Sequence, residues 1–150
     1  FGVVHAPVTR TTWFGGESTT ATRIVDTTSK TITVKNTHDP PIKLVASGSH
    51  RAERDERFAS QLGIHDLVRM GSSLKACIVA DGSAHLYPRF GPTSCWDIAA
   101  AHAVVESAGG FVLGPDGQPL DYDLVDEVLN PYFLVACSTD WNGIWIENQD

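Results

Sequence analysis

The stretch Gly91-Pro92-Thr93-Ser94-Cys95-Trp96-Asp97-Ile98-Ala99-Ala100-Ala101-His102 decides how the rest of the chain is read. Gly91-Pro92 breaks whatever precedes it, because proline removes a backbone donor and restricts its neighbour. Thr93 or Ser94 then supplies a capping hydroxyl, and Ser94-x-x-Asp97 has the spacing of a capping box. The residues that follow, through Val104-Val105, are mostly apolar on every side, the pattern of a buried helix, and Gly109-Gly110 stops it. Asp97 is therefore a carboxylate at the start of a buried helix, close to free helix amides.

Upstream, Val3-Val4, Thr11-Thr12-Trp13-Phe14, Thr22-Arg23-Ile24-Val25 and Thr31-Ile32-Thr33-Val34 are short β-branched or aromatic runs. They predict an antiparallel meander over the first 45 or so positions, with Gly15-Gly16 separating the second strand from the third. Asn36-Thr37-His38-Asp39-Pro40-Pro41 is polar and proline-rich, and marks a boundary between residues 1–41 and 42–150. After it the pattern alternates. Strands are expected near Ile42–Ser47, Leu67–Met70, Ala84–Phe90, Phe111–Leu113 and Tyr132–Cys137. Helices are expected over Arg51–Leu62, from Gly71-Ser72-Ser73 to about Ala80, and after Ser94, with a short closing turn at Trp141 and Trp145. Alternating strands and helices predict an α/β layer with a mixed or parallel sheet, α+β when the leading strands are included.

Composition narrows the function classes. The 150 residues allow one medium domain, or one and part of another, and a hydrophobic share of 42% supports a real core. The net charge of −7 and the lack of a basic tract argue against nucleic acid as a partner. No apolar run reaches the roughly 20 residues of a membrane span. Cys77, Cys95 and Cys137 are far apart and odd in number, which suits reduced thiols in a cytoplasmic protein. The chain starts at Phe1 in what reads as a strand interior. That predicts a C-terminal piece of something longer, with an open sheet prone to association.

In open α/β sheets, ligands gather at strand C-termini and helix N-termini. Three such junctions carry polar groups: Gly48-Ser49-His50, Gly71-Ser72-Ser73-Leu74-Lys75, and Arg89 to Asp97. Ser72 has a capping hydroxyl, but Lys75 falls in the first turn, where the helix dipole disfavours a cation. A residue set against its local preference is a site candidate, and amides, hydroxyls and a lysine together suit a phosphate or ribose. Each candidate also has a plain structural account. Asp97 and His50 serve as caps in it, Lys75 as a solvated charge, and Arg89 as half of a surface ion pair. His5, His38, His65, His85 and His102 show no metal-ligand spacing.

Further motifs add a family resemblance. Trp96-Asp97-Ile98-Ala99-Ala100 followed by Ala108-Gly109-Gly110 resembles the C-terminal signature of the inositol monophosphatase superfamily of metal-dependent phosphatases. Gly71-Ser72-Ser73-Leu74-Lys75, Leu86–Thr93, Gly117–Tyr122, Gly2–Val8, Ser47–His50 and Leu129-Asn130-Pro131 are similar to its bacterial 3'(2'),5'-bisphosphate nucleotidase branch. The resemblance implies a Mg²⁺-dependent conversion of 3'-phosphoadenosine 5'-phosphate to AMP and phosphate, with two or three Mg²⁺ per complete site. It assigns Asp97 as a metal ligand and catalytic carboxylate that also meets substrate. It places His50, Ser72, Lys75 and Arg89 on the small-molecule nucleotide. It also implies that residues 1–41 trail from an N-terminal metal-binding domain, and that 42–150 form the C-terminal α/β layer. The family's other metal carboxylates lie in a Glu-bearing helix and an Asp-Pro-x-Asp-Gly-Thr loop, and neither occurs in these 150 residues. Little or no turnover is therefore expected of this polypeptide alone. Two alternatives stand beside this reading: an inositol- or sugar-phosphate phosphatase, and a non-catalytic remnant.

Overall fold

β-Branched and aromatic residues facing alternate sides build the first sheet. A computed structural model of the chain describes residues 1–47, 53–122 and 127–150. It shows four antiparallel strands in chain order, β1 (Gly2–Ala6), β2 (Thr11–Gly16), β3 (Thr19–Val25) and β4 (Thr28–Thr31). Val4 pairs with Trp13 across β1 and β2, and both are buried. The expected meander is present.

Two details of it differ from the sequence expectation. β4 stops at Thr31, so Ile32 and Val34 lie beyond the strand yet are buried. The Ile32 amide still donates to the Ala21 carbonyl at 2.9 Å, but the Val34 amide donates to the Ala108 carbonyl at 3.1 Å. The chain has left the sheet to cover the end of the helix at 95–107. Gly15 and Gly16 belong to β2 and are not a turn. A Cβ on Gly15 would lie 2.8 Å from Ser107, so the glycine permits close approach of that helix.

The second sheet has the order β6-β5-β7-β9-β8. Here β5 is Ile42–Ala46, β6 His65–Arg69, β7 Leu86–Arg89, β8 Phe111–Leu113 and β9 Phe133–Ala136. β5 runs parallel to β6 and β7, whereas β9 is antiparallel to both β7 and β8. The sheet is therefore mixed, and the chain is α/β in its second part. All four residues of β9 are buried, as its unbroken apolar run requires.

Helix α1 (Glu53–Gln61) buries Phe58 and Ala59 and packs with α4 (Asn142–Glu147). Phe58, Phe90 and Trp145 meet there, with Phe58 edge-on to both at 6.1 Å. Helix α2 (Leu74–Ala80) packs with α3 (Cys95–Ser107), which also touches β1 and β2. α3 buries Ile98, Ala101, His102, Val104 and Val105. Its end follows the expected signal, with Ala108 at the cap and Gly109 at φ +88°. One hydrophobic cluster runs from Val4 to Trp145 through both sheets.

A buried histidine ties the strands that carry the site. His85 Nδ1 accepts the Lys43 amide at 2.9 Å, and Nε2 lies 3.0 Å from the Thr37 carbonyl. That pattern fits the neutral ring protonated at Nε2, since a second proton would point at an N–H. Burial, the largest cause, lowers the His85 pKa below its ordinary 6.5, against the opposing pull of the Thr37 carbonyl. The unfolded chain thus binds the proton more readily than the folded one. Stability from this group is present above pH 6.5 and is lost as pH falls toward the lowered value. Urea midpoints measured between about pH 5 and pH 8 should rise with pH, and His85→Gln should flatten that rise. Equal slopes for the two chains would show that His85 does not carry it.

Candidate functional site

The three parallel strands all end at one edge, where α2 and α3 begin. Ser47 follows β5, Gly71 and Ser72 follow β6, and Arg89 closes β7. Together with Lys75, Tyr87, Thr93 and Asp97 they line a cleft of about 380 Å³. This is the position at which open α/β sheets hold ligands, since strand ends and helix starts leave backbone groups unpaired there. Four of the five residues singled out from the sequence, Ser72, Lys75, Arg89 and Asp97, come together in it. His50 lies outside the described residues.

Lys75 is not the solvated charge that its plain account supposes. It is only 5% exposed, with Nζ 5.3 Å from the centroid of the Tyr87 ring. Burial first, and the neighbouring Arg89 charge second, lower its pKa from the ordinary 10.5. Tyr87 is buried too, and the same desolvation pushes its phenol up to about 12, leaving the ring neutral beneath the ammonium.

Arg89 lines the cleft and is held through both terminal nitrogens of its guanidinium. Its Nη1 donates to Ser47 Oγ at 3.4 Å, and Nη2 donates to the Pro92 carbonyl at 3.3 Å. Its Nε is buried with no partner among the described residues. Among the described residues neither Lys75 nor Arg89 forms an ion pair. Two cations thus share one cleft without a bound carboxylate between them. Such an arrangement favours an anion, because a buried charge is costly until something pairs with it.

Asp97 serves as a helix cap and also lines the cleft. Its Oδ2 accepts the Ser94 amide at 2.8 Å, closing the expected capping box, while the side chain stays exposed at the cleft mouth. Ser72 needs a correction. The residue preceding α2 at its cap is Ser73, and Ser72 stands before it, exposed, with φ +56°. Its place on the wall comes from this left-handed bend.

The magnesium that the resemblance implies needs several oxygen ligands. Among the described residues no group of three or more His, Cys, Asp or Glu is placed to hold a metal ion. Asp97 is one carboxylate, and by itself it is not a metal centre.

Three residues at the site stand inside the motifs quoted from the sequence, which gave them no role. Ser47 fastens Arg89, Tyr87 underlies Lys75, and Asn130 braces Thr93 through Nδ2 at 3.1 Å. Asn130-Pro131 does carry a turn signal, but its partner across 37 positions is set by tertiary packing.

Comparisons with known proteins place the chain in a family. A profile of the inositol monophosphatase family matches residues 1–139. The chain is 43% identical over 135 residues to the 3'(2'),5'-bisphosphate nucleotidase CysQ of Escherichia coli K12, covering 90% of this chain and 54% of that protein. A crystal structure of CysQ from Bacteroides thetaiotaomicron superposes with a TM-score of 0.77 at 32% identity, over 91% of this chain and 57% of that one. The Thermotoga maritima inositol monophosphatase shares the fold, with a TM-score of 0.72 at 21% identity over 97% of this chain and 55% of that one. The chain spans about half the length of the CysQ relatives it matches. Among the described residues no helix is long and apolar enough to cross a membrane. With the family profile spanning nearly all of it, the chain belongs to the inositol monophosphatase family.

Proposed function

We propose that this chain supplies the phosphate-gripping half of a phosphatase site, for 3'-phosphoadenosine 5'-phosphate in a cytoplasmic enzyme that yields AMP and phosphate. The observation that carries the reading is the pair Lys75 and Arg89, two cations in one cleft with no ion-pair partner among the described residues. A phosphate ester satisfies both. The arginine fork bonds two oxygens in one plane, and the lysine adds a point charge. The name of the Escherichia coli relative favours the nucleotide over an inositol phosphate. The three unpaired thiols suit the cytoplasm.

In this reading Lys75 and Arg89 orient the ester and neutralise its charge, and Ser47 keeps the guanidinium aimed. The exposed Asp97 carboxylate faces the same space and offers a hard oxygen ligand, by the chemistry of its group. The Asp-Pro-x-Asp-Gly-Thr loop of the family is not in these 150 residues, so we propose that the chain binds nucleotide without turning it over.

The experiment is a calorimetric competition, followed by a phosphate-release assay with and without Mg²⁺. Adenosine 3',5'-bisphosphate is expected to bind saturably, to displace inositol 1-phosphate, and to lose affinity as salt rises. No phosphate release is expected from 3'-phosphoadenosine 5'-phosphate. Tighter binding of inositol 1-phosphate would overturn the nucleotide assignment, and Mg²⁺-dependent release would overturn the claim of inactivity.

A further inference from the structure

We propose that Asn130 is a positioning residue that turns Thr93 into a hydrogen-bond donor facing the cleft. The inference rests on the reading of that cleft as an anion site.

Thr93 lines the cleft, and Asn130, which is not part of that lining, bonds to it. Asn130 holds the segment at three points. Its backbone amide donates to the Thr93 carbonyl at 2.8 Å, and its Nδ2 donates to the Ser94 carbonyl at 2.8 Å and to Thr93 Oγ1 at 3.1 Å. The same strip is closed on either side, where the Cys95 amide donates to the Val128 carbonyl at 2.8 Å and Ser94 bridges Leu129.

The bond to Oγ1 decides the direction of the hydroxyl. A threonine hydroxyl has one hydrogen and two lone pairs. Nδ2 is a donor without a lone pair, so it can only be met by a lone pair of Oγ1. The hydroxyl hydrogen is then left to point elsewhere, and no acceptor among the described residues takes it. Thr93 lines the cleft in which Lys75 and Arg89 already favour an anion, so a bound oxygen there is the partner we infer for that hydrogen. Thr93 thus joins them as a neutral donor whose orientation is set in advance. The Ser94 carbonyl bond has a second consequence. It fixes the residue whose amide holds Asp97 Oδ2, so one side chain positions both a donor and the carboxylate.

The test measures the affinity of the unsubstituted 150-residue chain for adenosine 3',5'-bisphosphate, and compares Thr93→Val, Thr93→Ser, Asn130→Ala and the double variant Thr93→Val with Asn130→Ala. Thr93→Val removes the donor at constant shape and is expected to weaken binding about ten-fold, the usual effect of losing a hydrogen bond to a charged group. Thr93→Ser should bind like the unsubstituted chain. Asn130→Ala should weaken binding, but much less when Thr93 is already valine, because it acts partly through that hydroxyl. A purely structural Asn130 would weaken both chains equally, and that result overturns the proposal. So would unchanged affinity in Thr93→Val. If circular dichroism shows that Asn130→Ala is unfolded, the comparison of Val with Ser at position 93 decides alone. If the unsubstituted chain binds nothing while folded, the anion reading of the cleft falls and this inference with it. Binding that survives Thr93→Val leaves the cleft reading standing and removes this one.

Discussion

Lys75→Met is expected to stabilise the fold while weakening adenosine 3',5'-bisphosphate binding by about ten- to a hundred-fold. The two effects have one cause. Lys75 is buried beside Arg89 and over Tyr87, and no ion pair among the described residues offsets its desolvation. Methionine fills nearly the same volume without a charge, so the empty cleft loses a penalty of about 1–3 kcal/mol. The bound state loses the ammonium that meets the phosphate. Linkage gives the sign of the pH dependence. The folded pKa is lowered, so the unfolded chain holds the proton more tightly, and stability from this group rises as pH climbs toward 10.5. Anion affinity runs the other way and falls as Lys75 deprotonates. Urea denaturation and calorimetry on both chains check this. A methionine variant that is less stable and binds equally well would mean that Lys75 is a packing residue.

Asp81→Ala is expected to cost about 3–5 kcal/mol, the range for breaking a buried charge pair from one side. Asp81 sits at the end of α2 with a side chain only 2% exposed. Its Oδ2 accepts Trp13 Nε1 and Arg23 Nη1, both at 3.0 Å, so it joins the first sheet to α2, which packs on the second. Its Oδ1 accepts the Ser83 amide at 3.1 Å, turning the chain toward β7. Alanine would strand the Arg23 guanidinium, whose Nε already lacks a partner among the described residues. The two sheets should then separate more easily, and urea unfolding should show a lower midpoint. A loss under about 1 kcal/mol would place this network among surface ion pairs.

Much of this fold is legible in the chain itself, for physical reasons. The helix at 95–107 announces both its ends, because Ser94 and Asp97 cap one amide cluster and Gly109 takes a left-handed turn. β9 reads as buried since no polar residue interrupts it. Gly15-Gly16 misled because glycine signals both turns and close approach, and here it admits a helix. Nearby, a Cβ on Gly2 would collide with the Ala100 carbonyl for the same reason. Ile32 and Val34 misled because β-branched residues suit a strand, and their burial against the end of α3 is a tertiary fact. At the site, Lys75 was visible as a cation in the wrong turn of a helix. Its depth was not, since that depends on Tyr87 from another element. The link between Asn130 and Thr93 spans too many positions for local pattern to show it.

The most direct test of the account is a map of where the anion sits. Amide chemical shifts of the labelled chain would be followed as adenosine 3',5'-bisphosphate is added. The account predicts saturable shifts at Ser47, Ser72, Lys75, Arg89, Thr93 and Asp97, with little change in β1–β4. Saturable shifts that cluster elsewhere, or none in that group, would contradict it.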